Sequence, residues 1–263
     1  MRGMIFCAGV GSRLRPFTDE HPKALYVVGG KPLLGWQLEL LYRAGIREVV
    51  VNVHHFADQI EDYLRGRDSW CLDLSGMGMR VELSDERDCL LDTGGGLWRA
   101  RDLLRGENVL ACNVDILSTI DICRFVGVGS SLLDSGKVGV LVVSERKTSR
   151  YLVFDGSSLC GWTNIASGEC RPRGIDIGSK RLLGFSGMQL LGSGIFDVMQ
   201  EMCADGREVF SLIDLYVWMC SRGSYVGGLC SYEPCDYRMI DVGKTSELDS
   251  AELFVEKFLK KNL

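Results

Sequence analysis

Short apolar runs alternate with segments of helical periodicity through the first half of the sequence. Four runs have the length and composition of buried strands, and they span 4–7, 48–53, 79–83 and 109–112. Between them, apolar side chains recur three and four positions apart, which predicts amphipathic helices at 32–45, 56–64 and 97–104. Strands and helices alternating at this spacing indicate right-handed βαβ crossovers and a mainly parallel sheet.

The second half of the sequence continues with the same kinds of pattern. An apolar run predicts a strand at 138–143, and the turn residues Asp155 and Gly156 predict a hairpin over 151–162. The remaining patterns predict an interrupted strand at 182–190, a buried helix at 210–217, a strand at 239–241 and a terminal helix at 246–259. We therefore expect an α/β fold, with a mainly parallel mixed sheet and helices on both faces.

Composition narrows the class of protein. The net charge is −5, which argues against a general nucleic-acid binder because such a protein needs a basic face. No apolar stretch reaches the roughly 20 residues that cross a bilayer, and the N-terminus lacks the pattern of a signal peptide. The eleven cysteines form no Cys-x-x-Cys pair, and Cys7 and Cys112 lie in apolar runs. We expect reduced thiols and a cytoplasmic protein without nucleic-acid or membrane partners.

The first predicted strand leads into a glycine turn that suits a bound polyphosphate. Gly9 and Gly11 allow positive φ and a close approach of a ligand, and consecutive N–H groups in such a turn bind anions. Arg13 and Lys23 add two cations to the same segment. Neither a dinucleotide-binding turn nor a Walker loop matches, because Leu14 replaces the third glycine and no Gly-Lys-Ser/Thr follows.

The segment from Ile5 to Leu25 resembles the signature of the sugar nucleotidyltransferases over more than twenty positions. The matching pattern is Ala-Gly-x-Gly-Ser-Arg-Leu-x-Pro-x-Thr, followed by Pro-Lys-x-Leu. The resemblance implies a Rossmann-like (GT-A-like) nucleotidyltransferase fold, in one domain over 1–263 with a nucleotide-binding half at 1–135 and a sugar-binding half at 136–263. It also implies that a sugar 1-phosphate attacks the α-phosphorus of a nucleoside triphosphate, giving a nucleotide sugar and pyrophosphate.

The same resemblance implies roles for individual residues. It implies that Arg13 and Lys23 are catalytic. Arg13 would hold the departing phosphates, and Lys23 would neutralise phosphates near the reacting centre. It places a Mg²⁺ ion on Asp115, which follows a central strand, and on Asp241. The residues implied to contact the nucleotide are Ala8, Gly9, Gly11, Ser12, Thr93 and Gly94; those implied to contact the sugar phosphate are Asn113, Lys147 and Gly187.

Several alternatives stay open at this point. Lys147 is the nearest candidate for a second phosphate-contacting lysine, but Arg146 or Arg150 could serve instead. A related phosphocholine cytidylyltransferase would need an aromatic cage, for which Trp162 and Tyr151 are available. A catalytically silent regulatory subunit would be expected to lack one of the four charged site residues.

For the base of the nucleotide, uridine or guanosine is the first expectation. The sugar of the sugar 1-phosphate could be mannose, glucose, an N-acetylated amino sugar or a heptose. The sequence does not indicate the oligomeric state.

No general base is expected for this reaction. A phosphate monoester has a second pKa near 6, so its attacking oxygen is largely ionised at neutral pH. The enzyme must instead bring two polyanions together and stabilise the charge on the transferring and departing phosphates. Arginine, lysine and a carboxylate-bound Mg²⁺ ion suit that task.

Overall fold

A ten-stranded mixed sheet runs through the computed structural model, which describes residues 1–66, 74, 76–222, 225 and 227–260. The strands of this sheet are β1 (Arg2–Phe6), β4 (Glu48–Val53), β5 (Arg80–Asp85), β6 (Val109–Asn113), β8 (Gly139–Ser144), β9 (Arg150–Asp155), β10 (Ser158–Asn164), β11 (Glu169–Arg171), β12 (Arg181–Leu191) and β13 (Leu229–Tyr232). Two small sheets pair β2 (Val27–Val28) with β3 (Lys31–Pro32), and β7 (Ile116–Ser118) with β14 (Met239–Asp241). The α-helices are α1 (Leu33–Arg43), α2 (Ala57–Leu64), α3 (Asp92–Arg99), α4 (Arg101–Leu104), α5 (Ile122–Asp134), α6 (Ile195–Met202), α7 (Leu212–Cys220) and α8 (Leu248–Phe254).

The strand order is β11-β10-β13-β8-β12-β6-β1-β4-β5, with β9 paired to β10 and β12. The predicted strands of the first half form the parallel block β6-β1-β4-β5. The second half is more antiparallel than its patterns indicated, because the long strand β12 runs antiparallel to β6, β8 and β9. The prediction of a mixed sheet is confirmed, and its parallel character is concentrated in the half that carries the glycine turn.

The helices lie on both faces of the sheet, as predicted. Along β1, Ile5 packs into a core with α1, α2, α5 and α8, whereas Met4 and Phe6 pack into a second core with α3, α4, α6 and α7. This alternation is the strand period of two, and it buries β1 on both sides. No helix in the described part of the chain is long and apolar enough to cross a membrane.

Element boundaries differ modestly from the predictions. The helix expected at 97–104 begins earlier, and it is divided into α3 and α4 at Ala100. The strand expected at 182–190 is continuous, and the irregularity predicted at Gly187 is a register shift between Phe185 and Gln189. That shift kinks β12 where it passes the end of β6, so it changes the shape of the cleft described below.

Candidate active site at the ends of the central strands

The glycine turn that follows β1 is held in one conformation by its own side chains. Gly11 has φ +65°, and its carbonyl accepts a hydrogen bond of 3.0 Å from the Thr18 hydroxyl. A Cβ on Gly11 would lie 3.0 Å from the Lys23 Cβ. Glycine is therefore required there both by the backbone conformation and by the close packing of the turn on Lys23.

The other turn residues divide between the core and the cleft. Ala8 is buried and Gly9 is exposed, and the exposed Ser12 begins a 3₁₀ turn, Ser12–Leu14, whose last residue is buried. No described atom lies within 4 Å of the position that a Cβ on Gly9 would take. Packing within the described chain therefore gives no reason for a glycine at this position, whereas contact with a ligand would.

Lys23 and Asp115 form a nearly buried ion pair. The Lys23 residue is only 8% exposed, and its Nζ contacts Oδ2 of Asp115. Asp115 comes two residues after the end of β6, and β6 pairs with β1 through Phe6 and Asn113. The parallel pairing therefore delivers the carboxylate to the same edge of the sheet as the glycine turn, as the sequence predicted for the end of a central strand.

The second predicted metal ligand reaches this edge from the C-terminal part of the chain. Asp241 is the last residue of β14 and stands opposite Ile116 of β7, and the Val242 N–H donates 2.8 Å to the Asp115 carbonyl. Desolvation raises the pKa of Asp241, and the negative charge of Asp115 raises it further, while Lys23 and Arg13 act in the opposite direction. The two carboxylates thus share one electrostatic environment.

Arg13 joins this group because a glycine leaves room for it. A Cβ on Gly243 would lie 2.6 Å from Oδ1 of Asp241 and 3.0 Å from Nη2 of Arg13. Gly243 therefore lets the carboxylate and the guanidinium come close together. The residue belongs to the Asp-Val-Gly motif that sequence reasoning singled out, but its steric role depends on side-chain positions that a motif does not specify.

The donor set fits Mg²⁺. Two carboxylates of like charge face one region, and the described residues contain no cluster of three or more acidic, histidine or cysteine side chains that could form a complete protein cage. Mg²⁺ is ordinarily held by one or two carboxylates together with substrate phosphates and water. Asp115 and Asp241 match that pattern.

Asn113 and Gly187 meet at the kink in β12. Gly187 has φ +70°, and a Cβ there would lie 2.8 Å from Ile116 Cγ1 and 3.2 Å from Asn113 Nδ2. The two predicted substrate-contacting residues are therefore neighbours, immediately beside Ile116, the residue that follows Asp115 and begins β7. A larger residue at Gly187 would push against both the Asn113 amide and Ile116.

The glycines at the start of α3 also have a structural role within the protein. The N–H groups of Gly94 and Gly95 donate 2.9 and 3.0 Å to the Phe210 carbonyl. A Cβ on Gly94 would lie 2.5 Å from the Phe210 ring, and the Thr93 hydroxyl accepts a 3.0 Å hydrogen bond from the Leu212 N–H. These residues fasten α3 to the start of α7, so the Gly94 N–H is already engaged within the protein.

Lys147 lies in a cleft of about 790 Å³ that also includes Arg13 and Asp241. The lining combines apolar side chains with a strongly basic rim: Leu152, Trp162, Phe185, Ile213, Met239 and Ile240 on the apolar side, and Arg13, Arg146, Lys147, Arg150 and Lys244 as cations. Only two acidic residues, Asp241 and Glu247, belong to the described lining. A protein with net charge −5 therefore places a cationic cleft beside its carboxylate pair.

Sequence reasoning missed a buried polar pair beneath the glycine turn. Asn52, at the end of β4, accepts a 2.7 Å hydrogen bond from the Cys7 N–H and donates one of 2.7 Å to Glu86. Glu86 is 0% exposed, follows β5, and also accepts from the Leu91 N–H at 3.4 Å. The available signal was the interruption of an apolar run by Asn52, and a polar residue within a buried strand requires a partner.

The chain belongs to the nucleotidyl transferase family, whose model matches residues 2–155. An N-acetylmuramate alpha-1-phosphate uridylyltransferase from Caulobacter vibrioides is 43% identical over 225 residues, covering 85% of this chain and 86% of that protein. A protein of the same name from Neisseria meningitidis serogroup B is 42% identical over 132 residues, covering 50% of this chain and 54% of that protein.

A solved structure shares the fold at low sequence identity. A chain described as a glucose-1-phosphate thymidylyltransferase from Bacillus anthracis, in complex with a sucrose, has a TM-score of 0.76 and 17% identity, covering 98% of this chain and 96% of that one. The fold predicted from the opening motif is therefore confirmed, along with the family.

Proposed function

We propose that this chain transfers the uridylyl group of UTP to N-acetylmuramate 1-phosphate, releasing pyrophosphate. The observation that carries the proposal is the meeting of Arg13, Lys23, Asp115 and Asp241 at one edge of the sheet, beside a cationic cleft. The family supplies the reaction class, and the two uridylyltransferases described above favour this base and this sugar.

The reaction forms one P–O bond and breaks another. A phosphate oxygen of the sugar 1-phosphate attacks the α-phosphorus of UTP, and the bond from that phosphorus to the bridging oxygen of the β-phosphate breaks. The electron pair leaves with pyrophosphate. Since the attacking phosphate is already largely ionised at neutral pH, no side chain has to remove a proton.

The protein's contribution is positioning and charge. The turn fixed by Thr18 and Gly11 presents its backbone to the triphosphate, and Arg13 holds the departing β- and γ-phosphates. Lys23 acts near the reacting centre, where burial strengthens its interaction with developing negative charge. Asp115 and Asp241 hold Mg²⁺, which supplies charge neutralisation when bound.

The remaining predicted residues complete the two substrate sites. Asn113 and Gly187 border the sugar phosphate, and Lys147 approaches it from the rim of the cleft. Thr93 and Gly94 shape the base-binding side by holding α3 against α7. The proposal keeps a nucleotide-binding half at 1–135 and a sugar-binding half at 136–263, and Asp241 of the second half would reach the shared edge.

The cleft disfavours the phosphocholine alternative. The Arg171 guanidinium already lies 4.8 Å from the centre of the Trp162 ring, so one face of that aromatic ring is covered by a cation. Five cationic side chains line the same cleft. A quaternary ammonium would be repelled there, whereas a phosphate would be attracted.

Pyrophosphate release tests the proposal. The purified chain with Mg²⁺ is given each of four nucleoside triphosphates with phosphocholine or one of several sugar 1-phosphates, including those of mannose, glucose, N-acetylglucosamine and N-acetylmuramate. We expect release to require UTP together with N-acetylmuramate 1-phosphate. A requirement for another pair would replace the proposed substrates. No release with any pair, while UTP binding is still seen by calorimetry, would support the silent regulatory alternative.

A further inference from the structure

Arg146 is fixed in place above β12 at the rim of the cleft. Its Nη2 donates a hydrogen bond of 3.0 Å to the Phe185 carbonyl. Its side chain lies flat on Gly184, where a Cβ would come within 2.7 Å of the Arg146 Cγ and 2.8 Å of its Nε. The absence of a side chain at Gly184 is therefore what allows the guanidinium to take this position.

The charge on Arg146 is not neutralised within the described chain. No described carboxylate lies within 4 Å of its guanidinium, although nearby Arg181 is paired with Glu233 at 2.7 Å. Burial raises the pKa of Tyr237, and the positive charge of Arg146 acts in the opposite direction. The hydrogen bond to Phe185 uses one of the five N–H donors of the Arg146 guanidinium. The others are available to an anion.

The cleft holds more cations than the two phosphorylated substrates require at the reacting centre. Arg13 and Lys23 lie at the triphosphate end, and Lys147 is the candidate for the sugar phosphate. Arg146 lines the same cleft with Trp162 and Phe185, so a cation stands beside an apolar surface. A ligand that suits this combination carries both an apolar substituent and a further acid.

We propose that Arg146 is a specificity-determining residue that binds a carboxylate on the sugar ring of the acceptor. This inference rests on the proposed function. N-acetylmuramate 1-phosphate carries a lactyl ether whose carboxylate is separate from its phosphate and whose methyl group is apolar. N-acetylglucosamine 1-phosphate has the same ring without that ether. A fixed guanidinium selects the first sugar, because it pairs with a carboxylate through two parallel hydrogen bonds.

Arg146 differs from its basic neighbours in being held. All three basic side chains are exposed, but the structure gives neither Lys147 nor Arg150 a side-chain hydrogen bond or an ion pair within the described residues. Ordering such a side chain on binding costs conformational entropy, which a side chain already fixed by Phe185 and Gly184 does not pay again. The held residue is therefore the one suited to discriminating between two sugars.

Binding of two sugars to matched variants tests the role. Calorimetry compares N-acetylmuramate 1-phosphate with N-acetylglucosamine 1-phosphate, in the presence of a non-hydrolysable UTP analogue, for the wild type, Arg146→Met, Arg146→Lys and Gly184→Ala. Arg146→Met should lose about 10- to 100-fold in affinity for the acidic sugar alone, as expected for a hydrogen-bonded charge pair. Gly184→Ala keeps the charge but displaces the guanidinium, so it should lose the same preference. Arg146→Lys should retain only part of it.

Lys147→Met provides the contrasting variant, since the phosphate is common to both sugars and their affinities should fall together. Circular dichroism confirms that each variant is folded. Equal binding of the two sugars by the wild type, or an unchanged preference in Arg146→Met, would overturn the inference. The proposed function fails separately, if UTP and N-acetylmuramate 1-phosphate release no pyrophosphate, because the binding measurement does not depend on turnover.

Discussion

Asn52 Nδ2 donates a hydrogen bond of 2.7 Å to Glu86 Oε1, in a region from which solvent is excluded. Through its Oδ1 the same amide holds the Cys7 N–H, so this pair links the ends of β4 and β5 to the start of the glycine turn. The turn that we propose to contact the triphosphate is thus anchored, through Asn52, to a buried carboxylate. Such support keeps a binding site close to its productive geometry.

The buried carboxylate predicts a pH-dependent stability. Burial raises the pKa of Glu86 above its ordinary value of 4.5, although Asn52 and the Leu91 N–H oppose the shift. Between pH 4.5 and that raised pKa the folded protein binds a proton that the unfolded chain has lost, so stability must fall as pH rises across this interval. Glu86→Gln removes this contribution.

We therefore expect the unfolding free energy of the wild type, minus that of Glu86→Gln, to decrease as pH rises above 4.5 and to level off beyond the folded-state pKa. Urea denaturation from pH 4 to pH 8 measures the difference directly. Two stability curves that stay parallel over the whole range would show that Glu86 has the same pKa in both states.

Lys23→Ala should lower kcat by on the order of 10²-fold or more, which is the usual effect of removing one preorganised donor at a reacting centre. Steady-state pyrophosphate release gives kcat, and UTP calorimetry shows that the variant still folds and binds. Lys31→Ala is the matched control, because Lys31 is also paired with a carboxylate, that of Glu39, but lies outside the site. Near-normal kcat in Lys23→Ala would remove the catalytic role.

Asp241→Asn should weaken the apparent affinity for Mg²⁺ by at least about tenfold, since even changes behind a metal ligand commonly cost 10- to 100-fold. The measurement is a Mg²⁺ titration of activity at fixed substrate concentrations. Asp249→Asn removes an exposed carboxylate on α8 and should leave the titration unchanged. If the two variants titrate alike, Asp241 does not hold the metal.

Gly95→Ala should destabilise the protein by at least about 1–3 kcal/mol, because overpacking forces the backbone to shift. Its Cβ would lie 2.1 Å from the Glu208 carbonyl oxygen. Gly127→Ala, at an exposed position of helix α5, should instead stabilise by about 0.5–1 kcal/mol, because no described atom outside the helix backbone and the chain neighbours lies within 4 Å of the position that its Cβ would take. Urea denaturation of both variants checks this prediction, and a Gly95→Ala protein as stable as the wild type would contradict it.

The sequence was most informative where one local pattern determines one element. β1, β4 and β6 each contain a run of three or four consecutive apolar residues, as a strand buried on both faces requires. The position of Asp115 followed from the end of such a strand. The approach of Asp241 did not, because it depends on pairing between β7 and β14, which have three residues each and carry little periodic signal.

The sequence also could not predict roles that depend on where a side chain points. The sequence predicts ligand contacts for the glycines that open α3, but it gives no sign that Gly94 and Gly95 also pack against residues 208–210. In the basic segment after β8, Arg146 and Lys147 are equivalent by composition. Both side chains are exposed, and only Arg146 has a hydrogen bond to Phe185, over the space left at Gly184.

The most direct measurement follows the phosphorus atoms of UTP. The chain is incubated with Mg²⁺, N-acetylmuramate 1-phosphate and UTP labelled with ³²P at either the α- or the γ-phosphate, and the products are separated by chromatography. The account predicts that the α-label appears in UDP-N-acetylmuramate and the γ-label in pyrophosphate, in equal amounts. Label that stays in UTP, or a γ-label released as inorganic phosphate without any nucleotide sugar, would contradict uridylyl transfer at this site.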